Sequence, residues 1–322
     1  MSHVVVVGAS VAGVKLVQNL RSEGFTGAIT LVDQESHPLY DRPPLSKKYL
    51  SGAASDPEIA LTTAEALEGL RVETRFGVAA TELDPAGKTL TLADGSELTY
   101  DILVIATGAR ARRTPWASTP GVHVLRTRAD ADELRKELVP GRHLAVVGAG
   151  FIGAEAAATA LAAGVKVTII EPIGAPMGRA MNMEVGGIFA EKYRREGAEL
   201  RFGVSVENVE RTGDRVQVTL TDGATLDVDA VLLGIGAVVN TEWLESSGLA
   251  LDNGVVCEGT LAAVGVSHVY AIGDVARFMN RRHPDPIRLE HWTSATDQAL
   301  IVAHNIAHPD DLRSYDPTEY VW

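Results

Sequence analysis

Cysteine is almost absent: Cys257 is the only one in 322 residues. A single thiol closes no internal disulfide and supplies no Cys-x-x-Cys redox pair, so it reads as a small buried or half-buried residue. Basic residues are also short, 29 Lys and Arg against 42 Asp and Glu, which leaves a net charge of −13. That balance excludes a general nucleic-acid-binding surface, because a phosphate-tracking patch would have to be local. No apolar run approaches the roughly 20 residues that span a bilayer, so no membrane segment is expected. Met1-Ser2-His3 leads straight into an apolar strand with no signal peptide before it. Aromatics are scarce while Gly, Ala and Val are plentiful, as in α/β units whose backbones pack closely. These absences leave a soluble, cytoplasmic α/β protein of about two domains.

What is present begins at once. His3-Val4-Val5-Val6-Val7 is a β-branched run that reads as a buried strand. It stops at Gly8-Ala9-Ser10-Val11-Ala12-Gly13, and Val14, Val17 and Leu20 then share one helical face. A strand turning through glycine into a helix aims free backbone N–H groups and the positive helix end at one point, where a pyrophosphate fits. Ser10 stands where the G-x-G-x-x-G pattern has its second glycine. Ala28–Val32 is the next strand, ending in Asp33-Gln34-Glu35, where a dinucleotide fold hydrogen-bonds a ribose. In Tyr40-Asp41-Arg42-Pro43-Pro44-Leu45-Ser46-Lys47, the prolines fix an extended entry and Leu45-Ser46-Lys47 can start a helix. Residues 71–100 are β-rich with an Asp94-Gly95 hairpin cue, and 101–106 form a buried strand closing at Thr107-Gly108. Residues 110–121 read as a linker.

The opening then repeats. His143–Val147 followed by Gly148-Ala149-Gly150-Phe151-Ile152-Gly153 stands 140 residues after its counterpart, now with all three glycines. An Ala-rich helix to Ala163 follows, then a strand ending at Glu171. Asp222-Gly223 echoes Asp94-Gly95, and Asp229–Leu233 with Gly234-Ile235-Gly236 echoes 101–108, each at an offset of 128. Two copies of one dinucleotide-binding design are therefore expected, each Rossmann-like with a β-meander. The strand Val269–Ile272, ending in Gly273-Asp274, has no partner in the second copy and is expected to return to the first sheet. Arg277, Arg281, Arg282, His283 and Arg288 make a local basic cluster, and Glu290-His291-Trp292-Thr293 leads into a last helix.

These motifs, in this order, resemble the FAD-dependent, NADH-oxidising ferredoxin reductases of bacterial oxygenase systems, of the two-dinucleotide-domain, glutathione-reductase type. Arg42-Pro43-Pro44-Leu45-Ser46-Lys47 is the motif that separates that family from its relatives. The resemblance implies an FAD domain over 1–109 and 239–322 and an NAD domain over 110–238. It places Gly8, Ser10, Ala12 and Gly13 on the FAD pyrophosphate, and the FAD ribose at Gln34, with Asp33 and Glu35 beside it. Pro44, Ala80, Thr107, Gly108, Arg126, Asp274, Glu290 and Trp292 complete the FAD site. Gly148, Gly150, Phe151, Ile152, Gly153 and Gly236 would hold NADH, with Glu171 on its adenosine ribose. Glu171 would repel a 2′-phosphate and so favour NADH over NADPH, while Arg179 lies near enough to oppose it. Lys47 and Glu155, from different domains in this division, would form the catalytic ion pair beside the flavin. The family normally continues into a smaller C-terminal interface domain, absent here, and Trp322 resembles an aromatic at its threshold.

The function so implied is hydride transfer from NADH to FAD, then single electrons to a small [2Fe-2S] ferredoxin feeding an oxygenase such as a cytochrome P450. Acidic partners need a local positive patch, for which Arg277, Arg281, Arg282 and Arg288, or Arg110, Arg112 and Arg113, are candidates. Cysteine-dependent disulfide, peroxide and CoA-disulfide chemistries are disfavoured. Alternatives are a rubredoxin or quinone reductase, and an FAD-binding interaction or sensor protein without turnover. No metal or nucleic acid is expected, and the chain is read as a monomer or weak homodimer.

Overall fold

Four valines in a row, Val4 to Val7, are shielded from solvent on both faces, as in the centre of a parallel sheet covered by helices. The structure is a computed structural model that describes residues 2–178, 181–280 and 285–317. Arg179, Arg281, Arg282, His283 and Trp322 lie outside the described residues. The elements that matter run as follows: β1 (His3–Val7), α1 (Val11–Ser22), β2 (Ala28–Asp33), β3 (Val72–Phe76), β4 (Ile102–Ile105), β5 (His143–Val147), α2 (Phe151–Ala162), β6 (Lys166–Glu171), β7 (Glu199–Phe202), β8 (Ala230–Leu233), β9 (Val266–Ala271) and α3 (Trp292–Ala307). No helix among the described residues is long and apolar enough to cross a membrane.

The chain divides into two compact units, one of 1–41, 60–109 and 239–322, the other of 42–59 and 110–238. In the first, β9-β4-β1-β2-β3 pair in that order, all parallel, and four short strands extend the sheet beyond β9. The strand Val266–Ala271 thus joins the first sheet beside β4, as its lack of a partner in the second copy predicts. Helices α1 and α3 pack together against this sheet through Leu16, Val17, Leu20, Ala299, Val302 and Ile306. Burying each of the Leu, Val and Ile side chains stabilises the unit by about 1.5–3 kcal/mol.

In the second unit β7-β6-β5-β8 repeat the same parallel order, with the strand Val122–His123 beyond β8. Each unit adds a three-stranded antiparallel meander, Ala80–Asp84, Thr89–Leu92 and Glu97–Thr99 in the first, Val206–Thr212, Arg215–Leu220 and Thr225–Val228 in the second. The repetition reaches single hydrogen bonds. His3 Nε2 lies 2.9 Å from Thr30 Oγ1 and its N–H donates to Asp101; His143 Nε2 lies 2.8 Å from Thr168 Oγ1 and its N–H donates to Asp229.

Residues 42–59, which the sequence division leaves with the first domain, pack with the second unit. The Tyr49 hydroxyl donates toward Asp132 at 3.0 Å, Arg128 pairs with Asp56 at 2.9 Å, and Arg42 donates to the Arg126 carbonyl. Burial, then hydrogen bonding to Asp56 and Asp132, pushes the Tyr49 hydroxyl up to about 12. The expected helix at Leu45-Ser46-Lys47 is instead a 3₁₀ turn, Pro43–Ser46. Two prolines set its φ, and the chain then bends back so that the Tyr49 N–H reaches the Pro44 carbonyl.

Candidate functional site

In the first unit the loop after β1 is shaped by Gly8 and Gly13. Gly8 has φ +114°, and a Cβ there would lie 2.2 Å from the Ala106 carbonyl oxygen; one on Gly13 would lie 1.9 Å from the Gly8 oxygen. The second unit repeats both contacts, Gly148 against Gly234 at 2.3 Å and Gly153 against Gly148 at 2.1 Å. These glycines let helix, strand and crossing loop touch through backbone alone. The middle position differs. A Cβ on Gly150 would meet nothing within 4 Å, and Ser10 takes the same N-cap conformation, φ −87° and ψ −164° against −75° and −174°. Ser10 therefore costs the fold nothing.

Three helices begin without a side-chain cap and without an acid in the first turn: α1 at Ser10, α2 at Gly150 and α3 at His291. Free N–H groups and the positive end of the dipole suit a phosphate at the first two. At α2 the lip is apolar, with Phe151 and Ile152 exposed. At α3 the Trp292 indole N–H donates to Asp41 at 3.1 Å. Beside α1, Gly273 (φ +74°) opens a one-turn segment containing Asp274, and a Cβ at 273 would come within 3.2 Å of the Ala12 methyl.

The acid ending each second strand is held by backbone. Asp33 accepts from the Ala9 N–H at 2.6 Å and the Glu35 N–H at 2.8 Å. Glu171 accepts from Ala149 at 2.7 Å and Ile173 at 3.1 Å. Asp33 is thus the structural twin of Glu171, while Gln34 is exposed and the Glu35 carboxyl receives the Tyr40 hydroxyl at 2.6 Å. Each acid braces its own glycine loop.

Lys47 and Glu155 meet in the second unit: Nζ to Oε2 is 2.7 Å, and the Ser46 hydroxyl donates to the same oxygen at 2.6 Å. Thr159 donates to the Ser46 carbonyl at 2.8 Å and thereby fixes the turn on α2. The pair is 46% and 31% exposed, and such an ion pair contributes about 1 kcal/mol at most. Its organisation is out of proportion to its stabilising value. Pro44 is the second residue of this turn, and Gly236 lies in the crossing loop after β8, where its carbonyl receives the Arg112 N–H. Arg126 precedes the N-cap of the helix Arg128–Glu137, with its N–H on Asp130.

Ala80, Thr107, Gly108, Asp274, Glu290 and Trp292 all belong to the first unit, and Arg126, Pro44 and Lys47 to the second. Glu290 is engaged in an ion pair with Arg288 at 2.8 Å, and Arg277 in one with Asp252 at 2.5 Å. The described part of that basic cluster is therefore charge-compensated. Two supports escape motif reading. Asn240 brackets the crossing loop: its side chain donates to the Thr107 carbonyl at 2.8 Å, its own N–H donates to Gly108, and the Thr107 hydroxyl donates back to its carbonyl. Gln298, fully buried on α3, accepts the Gly273 N–H at 2.7 Å. Cys257 is buried with its thiol pushed up to about 12 by burial, so it takes no part in thiolate chemistry.

A family model described as pyridine nucleotide-disulphide oxidoreductase matches residues 2–299. Rhodocoxin reductase of Rhodococcus erythropolis is 36% identical over 303 residues, 93% of this chain and 71% of that protein. The crystal structure of a ferredoxin reductase for the CYP199A2 system from Rhodopseudomonas palustris superimposes with a TM-score of 0.93 at 35% identity, covering 98% of this chain and 78% of that one. The structure of the covalent putidaredoxin reductase–putidaredoxin complex matches with a TM-score of 0.93 at 32% identity, covering 98% and 77%.

Proposed function

The chain belongs to the pyridine nucleotide-disulphide oxidoreductase family, and we propose that it is an NADH-oxidising flavoprotein reductase that passes electrons to a small [2Fe-2S] ferredoxin of an oxygenase system. The family implies a flavin and a nicotinamide nucleotide. The finer reading is FAD in the first unit and NADH in the second. The observation that carries it is the doubled cradle: two uncapped helix N-termini, each with a glycine loop braced by an acid. One dinucleotide would need only one.

When bound, the flavin accepts a hydride from the nicotinamide and releases electrons singly. The chain's own part is to bind, orient and neutralise. The N–H groups opening α1 and α2 would hold the two pyrophosphates, and Glu171 would admit an unphosphorylated adenosine ribose. The N-terminus of α3, opened by Trp292, would stabilise negative charge on a reduced ring. Lys47, held by Glu155, would orient the nicotinamide side and balance charge there. With Cys257 buried and no second cysteine in the chain, no dithiol relays the electrons. Arg110, Arg112 and Arg113, all exposed, are the described candidates to steer an acidic partner.

The test is NADH-dependent reduction of a purified [2Fe-2S] ferredoxin by the flavin-loaded chain. The reading predicts ferredoxin reduction that weakens as salt rises. Flavin reduction with no transfer to any ferredoxin would overturn the assignment of partner.

A further inference from the structure

At the C-terminal ends of α1 and α3, in the first unit, three potential ligands converge with no role in the reaction. Glu23 caps α1; His304 and His308 stand one turn apart on α3 and its cap. Glu23 Oε2 lies 3.2 Å from His304 Nδ1 and 3.0 Å from His308 Nε2, and the three ligating atoms lie within 4.8 Å of one another. Ligands around a tetrahedral zinc-like ion, each at about 2.0–2.1 Å, stand about 3.3 Å apart. The two carboxylate–imidazole spacings match that, and the two imidazole nitrogens lie within 4.8 Å.

The protons point the same way. His304 is almost completely buried, and its Nε2 faces the Asp311 carbonyl oxygen at 3.0 Å and the Asp311 carboxyl at 3.3 Å. Both are acceptors, so Nε2 carries a hydrogen, as the outer nitrogen of a metal-ligating histidine does. In the neutral ring Nδ1 then presents a lone pair to the oxygen of Glu23. A cation between them turns that opposition into coordination.

We propose that Glu23, His304 and His308 bind a divalent transition-metal ion of the zinc type, with water completing the shell. Two imidazoles and one carboxylate suit such an ion rather than Mg²⁺ or Ca²⁺, which take oxygen ligands. The site clips the C-terminal end of α1 to that of α3. It lies about 18 Å along α3 from Trp292, so it is structural and separate from the proposed cofactor site.

The test uses the flavin-loaded full chain, stripped with a chelator and titrated calorimetrically with zinc sulfate. One ion per chain is expected, with a rise in thermal midpoint, and magnesium sulfate should produce neither. Exposed His308→Gln and Glu23→Gln should each weaken zinc binding by at least about tenfold and abolish the thermal shift. Absence of zinc binding, or an affinity unchanged in both variants, would overturn the site.

Discussion

The Lys47 ammonium lies 2.7 Å from the Glu155 carboxyl across 108 residues of sequence, and both belong to the same unit. The turn Pro43–Ser46 delivers the lysine and the first turns of α2 deliver the glutamate, with Ser46 and Thr159 locking the two together. Replacing Glu155 by Gln keeps the hydrogen-bond framework and removes the charge. In anaerobic stopped-flow mixing, Glu155→Gln and Lys47→Met should slow NADH-driven flavin reduction on the order of tenfold to a hundredfold, with flavin content and thermal midpoint close to wild type.

The glycines of each loop separate into two kinds. Gly153→Ala places a methyl 2.1 Å from the Gly148 oxygen and should destabilise the second unit by more than about 3 kcal/mol, measured by denaturant unfolding. Gly150→Ala meets open space, so stability should change by less than about 1 kcal/mol while the KM for NADH should rise, because the methyl would occupy the approach of the proposed pyrophosphate. Ser10→Gly, at the position with the matching backbone, should likewise change stability by less than about 1 kcal/mol.

Glu171 braces the loop and, in the proposed function, would face the nucleotide. Glu171→Gln retains one acceptor and loses the charge that opposes a 2′-phosphate. The ratio of kcat/KM for NADH to that for NADPH should fall by about tenfold or more, with most of the change in KM.

Two histidines of the second unit make its stability depend on pH. Burial depresses His123 and His143 below the usual 6.5, with Glu137 and Glu199 respectively working against it. Their folded affinity for protons is lower than the unfolded one, so stability is fully present above pH 6.5 and is lost as pH falls through the depressed values. Thermal midpoints recorded between pH 7.5 and about 5 should decline below 6.5. His143→Gln, which keeps a partner for Thr168, should flatten part of that decline.

The repeat was legible because each copy's strand, glycine loop and acid are local and carry fixed offsets. Ser10 departs from the glycine pattern of the first loop, but its backbone matches Gly150, so the departure is sterically silent. The carboxyl that matches Glu171 proves to be Asp33, since two loop N–H groups select it over Gln34 and Glu35. What stayed hidden depends on distant partners. Asn240 reaches back 133 residues to Thr107, and the allegiance of 42–59 is decided by Asp132 and Arg128. Nothing in the local pattern of either stretch announces such contacts.

The most direct measurement is anaerobic addition of NADH to the purified, flavin-loaded chain, following the flavin absorbance in wild type and Glu155→Gln. The account predicts rapid bleaching by one equivalent of NADH in the wild type and much slower bleaching, to the same end point, in the variant. A wild-type flavin that stays oxidised under excess NADH would contradict it.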